Sequence, residues 1–310
     1  MPKSSFTPNS LPNLAGKTFI VTGGNAGVGK STVAGLANRG ARVYLGARNT
    51  DKALEAIQDI KGSLEQPDAD IVYLPLDLQS FRSVVEAAQL IKSKETSLYG
   101  LVNNAGIMGV PFALTQDGYE TQFQTNYLSH WLLTYHLLPL LEATSSSSPI
   151  GQVRVVNLTS DGHQRFTVQE GIRFSDPELK NEPAMTRYGH SKLANILHTK
   201  QLHRLHGAWL VTAAVHPGHI DTDLNKKATG MVPPAVLRVM VPVMKCAGVL
   251  DTQANGALSS LYAVASPEFT DAGAYIVPYA KIGSASDAAM DSALAEKLWS
   301  WTAQRLQEWL

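Results

Sequence analysis

Residues 17–29 read Lys-Thr-Phe-Ile-Val-Thr-Gly-Gly-Asn-Ala-Gly-Val-Gly, and this stretch decides the fold. Lys17–Thr22 is a short apolar run that suits a strand buried on both faces. It delivers Gly23, Gly27 and Gly29 into a helical pattern running from about Gly27 to Asn38. A strand feeding glycines into a helix lets backbone approach a pyrophosphate, and the helix N-terminus offers unpaired N–H groups and partial positive charge. The spacing is Gly-x3-Gly-x-Gly rather than the usual Gly-x-Gly-x2-Gly. The same residues also fit a P-loop, Gly24-x4-Gly29-Lys30-Ser31, with Asp77 ending a later strand as the carboxylate behind magnesium. From this stretch alone a dinucleotide site, a nucleoside triphosphatase and a ligand-free turn all remain open.

Outward from this turn, short apolar runs alternate with helical patterns. Strands are expected at Ala41–Ala47, Asp70–Pro75, Leu98–Val102, Gln152–Leu158, Trp209–Val215 and Ala274–Val277. Helices are expected at Asp51–Leu64, Ser80–Ser93, Tyr119–Leu141, Met185–His206, Thr252–Ala265 and Ala293–Leu310, with a polar loop at Ser145–Pro149. Such alternation implies right-handed crossovers and a parallel sheet. The fold class is therefore α/β: one doubly wound Rossmann-type parallel sheet of about seven strands, with helices on both faces. Residues 1–15 are expected as a flexible arm and 16–310 as one dinucleotide-binding catalytic domain.

Bulk composition narrows the partners. Lysine plus arginine and aspartate plus glutamate each number 26, so no net basic field favours nucleic acid. A single cysteine, Cys246, allows no intrachain disulfide and fits a reducing compartment. Residues 1–16 lack the apolar core of a signal peptide. The most apolar long stretch, Met231–Leu250, contains Pro233, Pro234, Arg238, Pro242 and Lys245, which argues against a transmembrane segment. The cytoplasm is the expected location, with peripheral membrane association left open. His203 and His206 lack acidic or cysteine companions, and no metal is expected.

The second strand addresses the cofactor. An NAD site places an acid there, about 20 residues past the glycines, to hold the ribose 2′-OH. Here that place holds Ala47, followed by Arg48. A guanidinium pairs with a 2′-phosphate, so NADP(H) is favoured, with Lys52 adding charge.

Tyr188 and Lys192 stand four apart in a helical pattern, on one face. A nearby ammonium and an oxidised nicotinamide would lower the phenol's pKa from about 10 and let it exchange a proton with a substrate oxygen. Ser160 ends the fifth strand, at the edge where open α/β sheets bind ligands. Asn103-Asn104-Ala105-Gly106 and the turn around Pro217-Gly218 end two other strands, and Asn126 sits inside a helix it does not favour. A Ser160–His163 pair could suggest a hydrolase, but no Gly-x-Ser-x-Gly elbow surrounds the serine.

Taken in order, Thr22-Gly23-x3-Gly27-x-Gly29, Asp77, Asn103–Gly106, Asn126, Ser160, Tyr188-x3-Lys192 and Pro217-Gly218-x-Ile220-x-Thr222 resemble the short-chain dehydrogenase/reductase family over roughly residues 15–280. His163, Ile172-Arg173-Phe174 and Tyr188–Asn195 are similar to its retinol-dehydrogenase-like and WW-domain-oxidoreductase-like branch, without a WW domain. The resemblance implies Tyr188 as proton donor and acceptor, Lys192 lowering its pKa and holding the nicotinamide ribose, and Ser160 orienting the substrate oxygen. It implies Asn126 anchoring a water on the proton path. Gly23, Asn25, Gly27, Val28 and Gly29 would line the cofactor, with Asp77 at adenine, Asn104 on the ribose side, and Ile220 and Thr222 at the carboxamide. It disfavours the P-loop, which gives no reason for the later motifs. A non-catalytic NADP-binding sensor or scaffold with the same fold stays as the alternative.

Ser160 and Tyr188 are 28 residues apart, longer than the commonest family spacing, so 161–187 is read as an insertion bordering the substrate pocket. By the resemblance, 224–250 is a substrate lid. Val232, Val236, Leu237, Met240, Val243 and Met244 would form an oily wall for a hydrophobic small molecule of polyketide, terpenoid, steroid or retinoid type. The helices carrying Asn126 and Tyr188 are candidate homodimer faces.

Overall fold

The computed structural model describes residues 6–64, 68–222, 224, 228–230 and 234–310. Eight strands form one sheet in the order β3-β2-β1-β4-β5-β6-β7-β8. They are β1 Thr18–Thr22, β2 Arg42–Ala47, β3 Ile71–Pro75, β4 Gly100–Asn103, β5 Arg154–Leu158, β6 Val211–Val215, β7 Ala274–Val277 and β8 Lys281–Gly283. β1 to β7 pair in parallel and β8 returns antiparallel on β7. All five β1 residues are buried. Ile20 points into one apolar layer, and Phe19 and Val21 into the other, so the central strand has no polar face. Strand order reverses between β1 and β4, which opens a crevice beyond their C-terminal ends.

The helices match the expected alternation: α1 Gly27–Ala37, α2 Thr50–Ser63, α3 Phe81–Lys94, α4 Thr121–Phe123, α5 Ser129–Ser146, α6 Gly162–Arg165, α7 Ala184–His206, α8 Pro234–Cys246, α9 Gln253–Ala265, α10 Asp287–Met290 and α11 Ser292–Arg305. α4 and α5 are joined by a π-helical segment, Gln124–Leu128, that carries Asn126. The expected polar loop at Ser145–Pro149 is shorter, because α5 runs to Ser146.

The eighth strand is a correction to the expected count of about seven. The chain reverses through Tyr279 and Ala280, at φ 65° and 56°, with no glycine or asparagine to mark the turn. Ser259 Oγ braces it, accepting from Ala280 N and donating to Val277 O, each at 3.0 Å. The arm expected over 1–15 is also corrected where it is described. Phe6, Leu11 and Leu14 are buried, and Phe6 meets Tyr262 edge-on at 5.3 Å.

The lid expectation fails in part. Val236, Met240 and Val243 lie at i, i+4 and i+7 of α8 and are 47%, 37% and 60% exposed, so they do not wall a pocket. Val241, on the other side, is buried. Val232 and the Leu237 side chain lie outside what is described.

The C-terminal segment packs against α5 and α7. Trp299 packs edge-on against Trp131 at 5.0 Å, and Trp301 meets Phe123 at 6.2 Å. Tyr127 and Thr302 share a 2.6 Å hydrogen bond, and His136 Nε2 meets the Trp309 carbonyl at 2.8 Å. The two helices named as candidate dimer faces thus bury aromatic surface within the chain itself. Among the described residues, no helix is long and apolar enough to cross a membrane.

Candidate active site

The glycine turn is built against the turn after β4. Gly23 and Gly27 have φ of 64° and 58°, left-handed values that glycine adopts without strain. A Cβ on Gly29 would stand 2.3 Å from the Gly23 oxygen and 2.5 Å from Asn104 Nδ2, so no side chain fits there. Asn104 Nδ2 donates to the Thr22 carbonyl at 2.7 Å. That side-chain nitrogen braces the glycine turn against the β4 turn. No side chain caps the first turn of α1, so its N–H groups remain available to a phosphate.

Thr22 ties three elements together. Its Oγ1 accepts from Asn104 N and Ala105 N, both at 2.9 Å, and lies 2.8 Å from His130 Nε2. Burial pushes His130 down to about 4, so the ring is neutral. Its Nδ1 lies 3.0 Å from the Asn126 carbonyl, which can only accept, so Nδ1 carries the proton. Nε2 therefore accepts, and Thr22 donates to it. No local pattern marks His130 in the sequence; its link from β1 to the π-segment depends on α5 crossing the sheet.

Asn126 is buried rather than solvated. Its Nδ2 donates to Ile107 O at 3.0 Å and Ser191 Oγ at 2.9 Å, and its Oδ1 accepts from Ile107 N at 2.9 Å. A Cβ on Gly106 would lie 3.2 Å from Asn126 Oδ1 and 3.4 Å from Lys192 Nζ, so the β4 turn, the π-segment and α7 converge on one point. Lys192 Nζ donates to the Leu158 carbonyl at 3.0 Å and lies 5.7 Å from the centre of the Tyr188 ring. Tyr188 and Ser160 meet beside Gly162, which leaves room for the ring: a Cβ there would be 3.1 Å from Tyr188 Cε1 and 3.5 Å from Ser160 Oγ. His163 Nδ1 binds the Ser160 carbonyl at 2.6 Å, not its hydroxyl, which removes the hydrolase pairing.

The remaining residues fall into two places. Ile220 is buried and packs with Val28 on Gly256 of α9, where a Cβ would meet them at 2.8 and 2.9 Å. A Cβ on Gly27 would meet Thr222 Cγ2 at 3.0 Å, so the Pro217-Gly218 turn closes on the glycine turn. Asn25 is half-buried beside it. Arg48, Lys52 and Asp77 sit apart, beyond the ends of β2 and β3. Arg48 Nη1 is 4.0 Å from Asp77 Oδ1, and Arg48 is exposed. Lys52 is exposed on the first turn of α2.

Residues 17–168 match the short chain dehydrogenase family model. The chain is 48% identical to the short-chain dehydrogenase/reductase drtF of Aspergillus calidoustus, over 97% of both proteins. The chain belongs to the short-chain dehydrogenase/reductase family. It is 34% identical to mouse retinol dehydrogenase 12 across 94% of this chain and 87% of that protein, which supports the retinol-dehydrogenase-like branch. An NADPH-bound carbonyl reductase from chicken fatty liver shares the fold, with a TM-score of 0.61 at 21% identity over 88% of this chain and 100% of that one.

As a short-chain dehydrogenase/reductase, the protein is not a P-loop enzyme. Lys30, the would-be P-loop lysine, instead reaches Asp59 of α2 at 2.8 Å. Burial pushes Tyr188 up to about 12; the Ser160 hydrogen bond opposes this and the Asp161 charge adds to it. Lys192 does not reverse the shift, because burial pushes its ammonium down to about 8 and its hydrogen bond goes to Leu158. The sequence reading also missed Asp161, His216 and His219, which gather beside Ser160. Their signal was positional: Asp161 follows Ser160 directly, and the two histidines flank the Pro217-Gly218 turn.

Proposed function

We propose that the protein is an NADP(H)-dependent oxidoreductase that interconverts a carbonyl and an alcohol on a hydrophobic small molecule, with Tyr188 as general acid and base. The observation that carries this reading is the convergence of the Tyr188 ring and the Ser160 hydroxyl on Gly162, where a Cβ would lie 3.1 Å from Tyr188 Cε1 and 3.5 Å from Ser160 Oγ, with Lys192 and Asn126 behind them. A substrate oxygen reaching both hydroxyls would be oriented by Ser160 and protonated or deprotonated by Tyr188.

The cofactor fits the residues present. The space a Cβ would fill at Gly29 is already taken, yet the α1 N-terminus is uncapped, so pyrophosphate can meet backbone N–H groups. Gly23, Asn25, Gly27, Val28 and Gly29 would line it, Asp77 would sit at adenine, and Ile220 and Thr222 would hold the carboxamide. Arg48, with Lys52 one turn on, would pair with a 2′-phosphate. The bound nicotinamide would supply or accept the hydride. Lys192 would hold its ribose, and Asn126 Oδ1 would be the acceptor for a water extending the proton path. The mouse relative's name points to a hydrophobic alcohol.

The test is nicotinamide absorbance with NADPH and NADH across aromatic and aliphatic carbonyls and the matching alcohols. Turnover with an NADP(H) preference is expected. Tight NADPH binding with no turnover on any member would support the sensor or scaffold instead.

A further inference from the structure

The histidines weighed for a metal from spacing, His203 and His206, are not the ones the fold gathers. Among the described residues, Asp161, His216 and His219 each present a ligand atom, and the three atoms lie within 4.8 Å of one another. They stand just past the C-terminal ends of β5 and β6, which are neighbours in the sheet. His216-Pro217-Gly218-His219 bends at Gly218, whose φ of 101° suits glycine. The two imidazoles end 5.9 Å apart between ring centres. Asp161 precedes α6, but its side chain caps none of that helix's N–H groups, so the carboxylate is left to face the histidines. Its Oδ2 lies 3.3 Å from His219 Nε2 and its Oδ1 4.0 Å from His216 Nε2.

Two imidazoles and a carboxylate form a zinc-type donor set, with bonds of about 2.0–2.2 Å and a fourth position left for water in an open site. Tetrahedral bonds of that length hold neighbouring donors about 3.3 Å apart. The Asp161–His219 pair already has that separation. His216, with its side chain 10% exposed, is the fixed ligand, and His219, at 52%, is free to adjust. Two contacts must be given up. Arg165 Nε, 2.9 Å from Asp161 Oδ2, has to withdraw; it is exposed, and such ion pairs contribute little. Gly218 N–H loses His216 Nδ1, 3.4 Å away, as the ring proton moves to Nδ1 and frees Nε2. That hydrogen bond is long and correspondingly weak.

We propose that Asp161, His216 and His219 bind one divalent transition-metal ion, with zinc as the probe, and that the bound ion slows turnover. The binding stands on this geometry alone; the slowing rests also on the reaction proposed at Ser160 and Tyr188. Asp161 Oδ1 is 3.1 Å from Ser160 Oγ. An ion on Oδ1 therefore stands no more than about 5 Å from that hydroxyl. With its water it takes up space through which a substrate oxygen reaches Ser160. Magnesium prefers oxygen ligands and keeps its own waters, so it does not suit two imidazoles.

The experiment titrates zinc, cobalt and magnesium into the chelator-treated full chain, above the ordinary histidine pKa of about 6.5. Zinc is followed by calorimetry and cobalt by its visible bands. One equivalent of zinc or cobalt is expected to bind, with no response to magnesium. Asp161→Asn and His219→Ala are each expected to weaken zinc by about 10-fold or more. Arg165→Gln removes the competing cation and is expected to tighten it by roughly 2-fold to 5-fold, which a misfolded variant cannot do. His206→Ala is expected to bind as the parent does. Bound zinc is expected to slow the parent several-fold, and His219→Ala not at all, each against its own metal-free rate. No zinc binding by the parent, or binding that the Asp161, His219 and Arg165 variants all leave unchanged, overturns the site. One equivalent of bound zinc with turnover at the metal-free rate overturns the slowing. A parent that turns over no carbonyl or alcohol sinks the proposed function and the slowing with it, while the titration still decides the site.

Discussion

Lys192 Nζ stands 5.7 Å from the centre of the Tyr188 ring and gives its hydrogen bond to the Leu158 carbonyl at 3.0 Å. The pair lies one helical turn apart on α7, yet the ammonium is fastened to the end of β5. The lysine therefore fixes the phenol's helix to the sheet edge and presents its charge from the side of the ring. Lys192→Met is expected to cut turnover by about 10²-fold or more and to weaken cofactor binding. Steady-state rates and cofactor titration check both effects. Parent-level turnover in this variant would mean that the ammonium plays no part.

Gly29→Ala tests the cradle. Its Cβ would stand 2.3 Å from the Gly23 oxygen, a backbone atom that cannot swing aside. The turn must open, at a cost of about 1–3 kcal/mol. A lower Tm together with lost NADPH binding is expected from denaturation and fluorescence titration. Gly62, where a Cβ would meet open space, is the matched control and should tolerate alanine.

Arg48 is exposed at the end of β2, 4.0 Å from Asp77. Arg48→Ala is expected to weaken NADPH roughly 10-fold and leave NADH nearly unchanged, since only the former has a phosphate to pair. Equal losses for both cofactors would remove the basis for NADP(H) preference.

Much of this was legible in the sequence, and the parts that were not share a cause. The glycine turn, the Tyr188–Lys192 spacing and the parallel strands announce themselves locally, because each depends on residues within one turn or one strand. The eighth strand is three residues long and follows a turn made by Tyr279 and Ala280, which carry no turn signal. The braces at Thr22 and His130 are 108 positions apart, and only the sheet order brings them together. The spacing of Tyr188 and Lys192 gives their proximity but not the burial of the phenol, which is the largest effect of the protein itself on its pKa. The exposed face of α8 reads the same as an oily wall until its orientation is known.

Buried histidines make the fold sensitive to acid. Burial pushes His190 and His198 down to about 3, and His130 and His216 to about 4. Each is neutral in the fold and protonates near 6.5 once unfolded, so the unfolded chain binds more protons below pH 6.5. Stability is then expected to fall between pH 6.5 and 4, by about 1.4 kcal/mol per pH unit for each histidine at most. His219 runs the other way. Its pKa is raised by Asp161, so its contribution is present below 6.5 and lost as pH rises through the raised value. His198 is the sharpest probe: neither ring nitrogen has a hydrogen-bond partner, and it packs against Tyr127 and Trp299. His198→Phe is expected to flatten the Tm–pH slope by about one proton without lowering Tm at pH 7.

The most direct measurement is single-turnover hydride transfer in Tyr188→Phe, with NADP(H) affinity followed in parallel. Loss of transfer by about 10²–10⁴-fold, with cofactor affinity within a few-fold of the parent, is the expected result. Transfer at the parent rate would show that another group moves the proton and that the phenol beside Ser160 is not the acid.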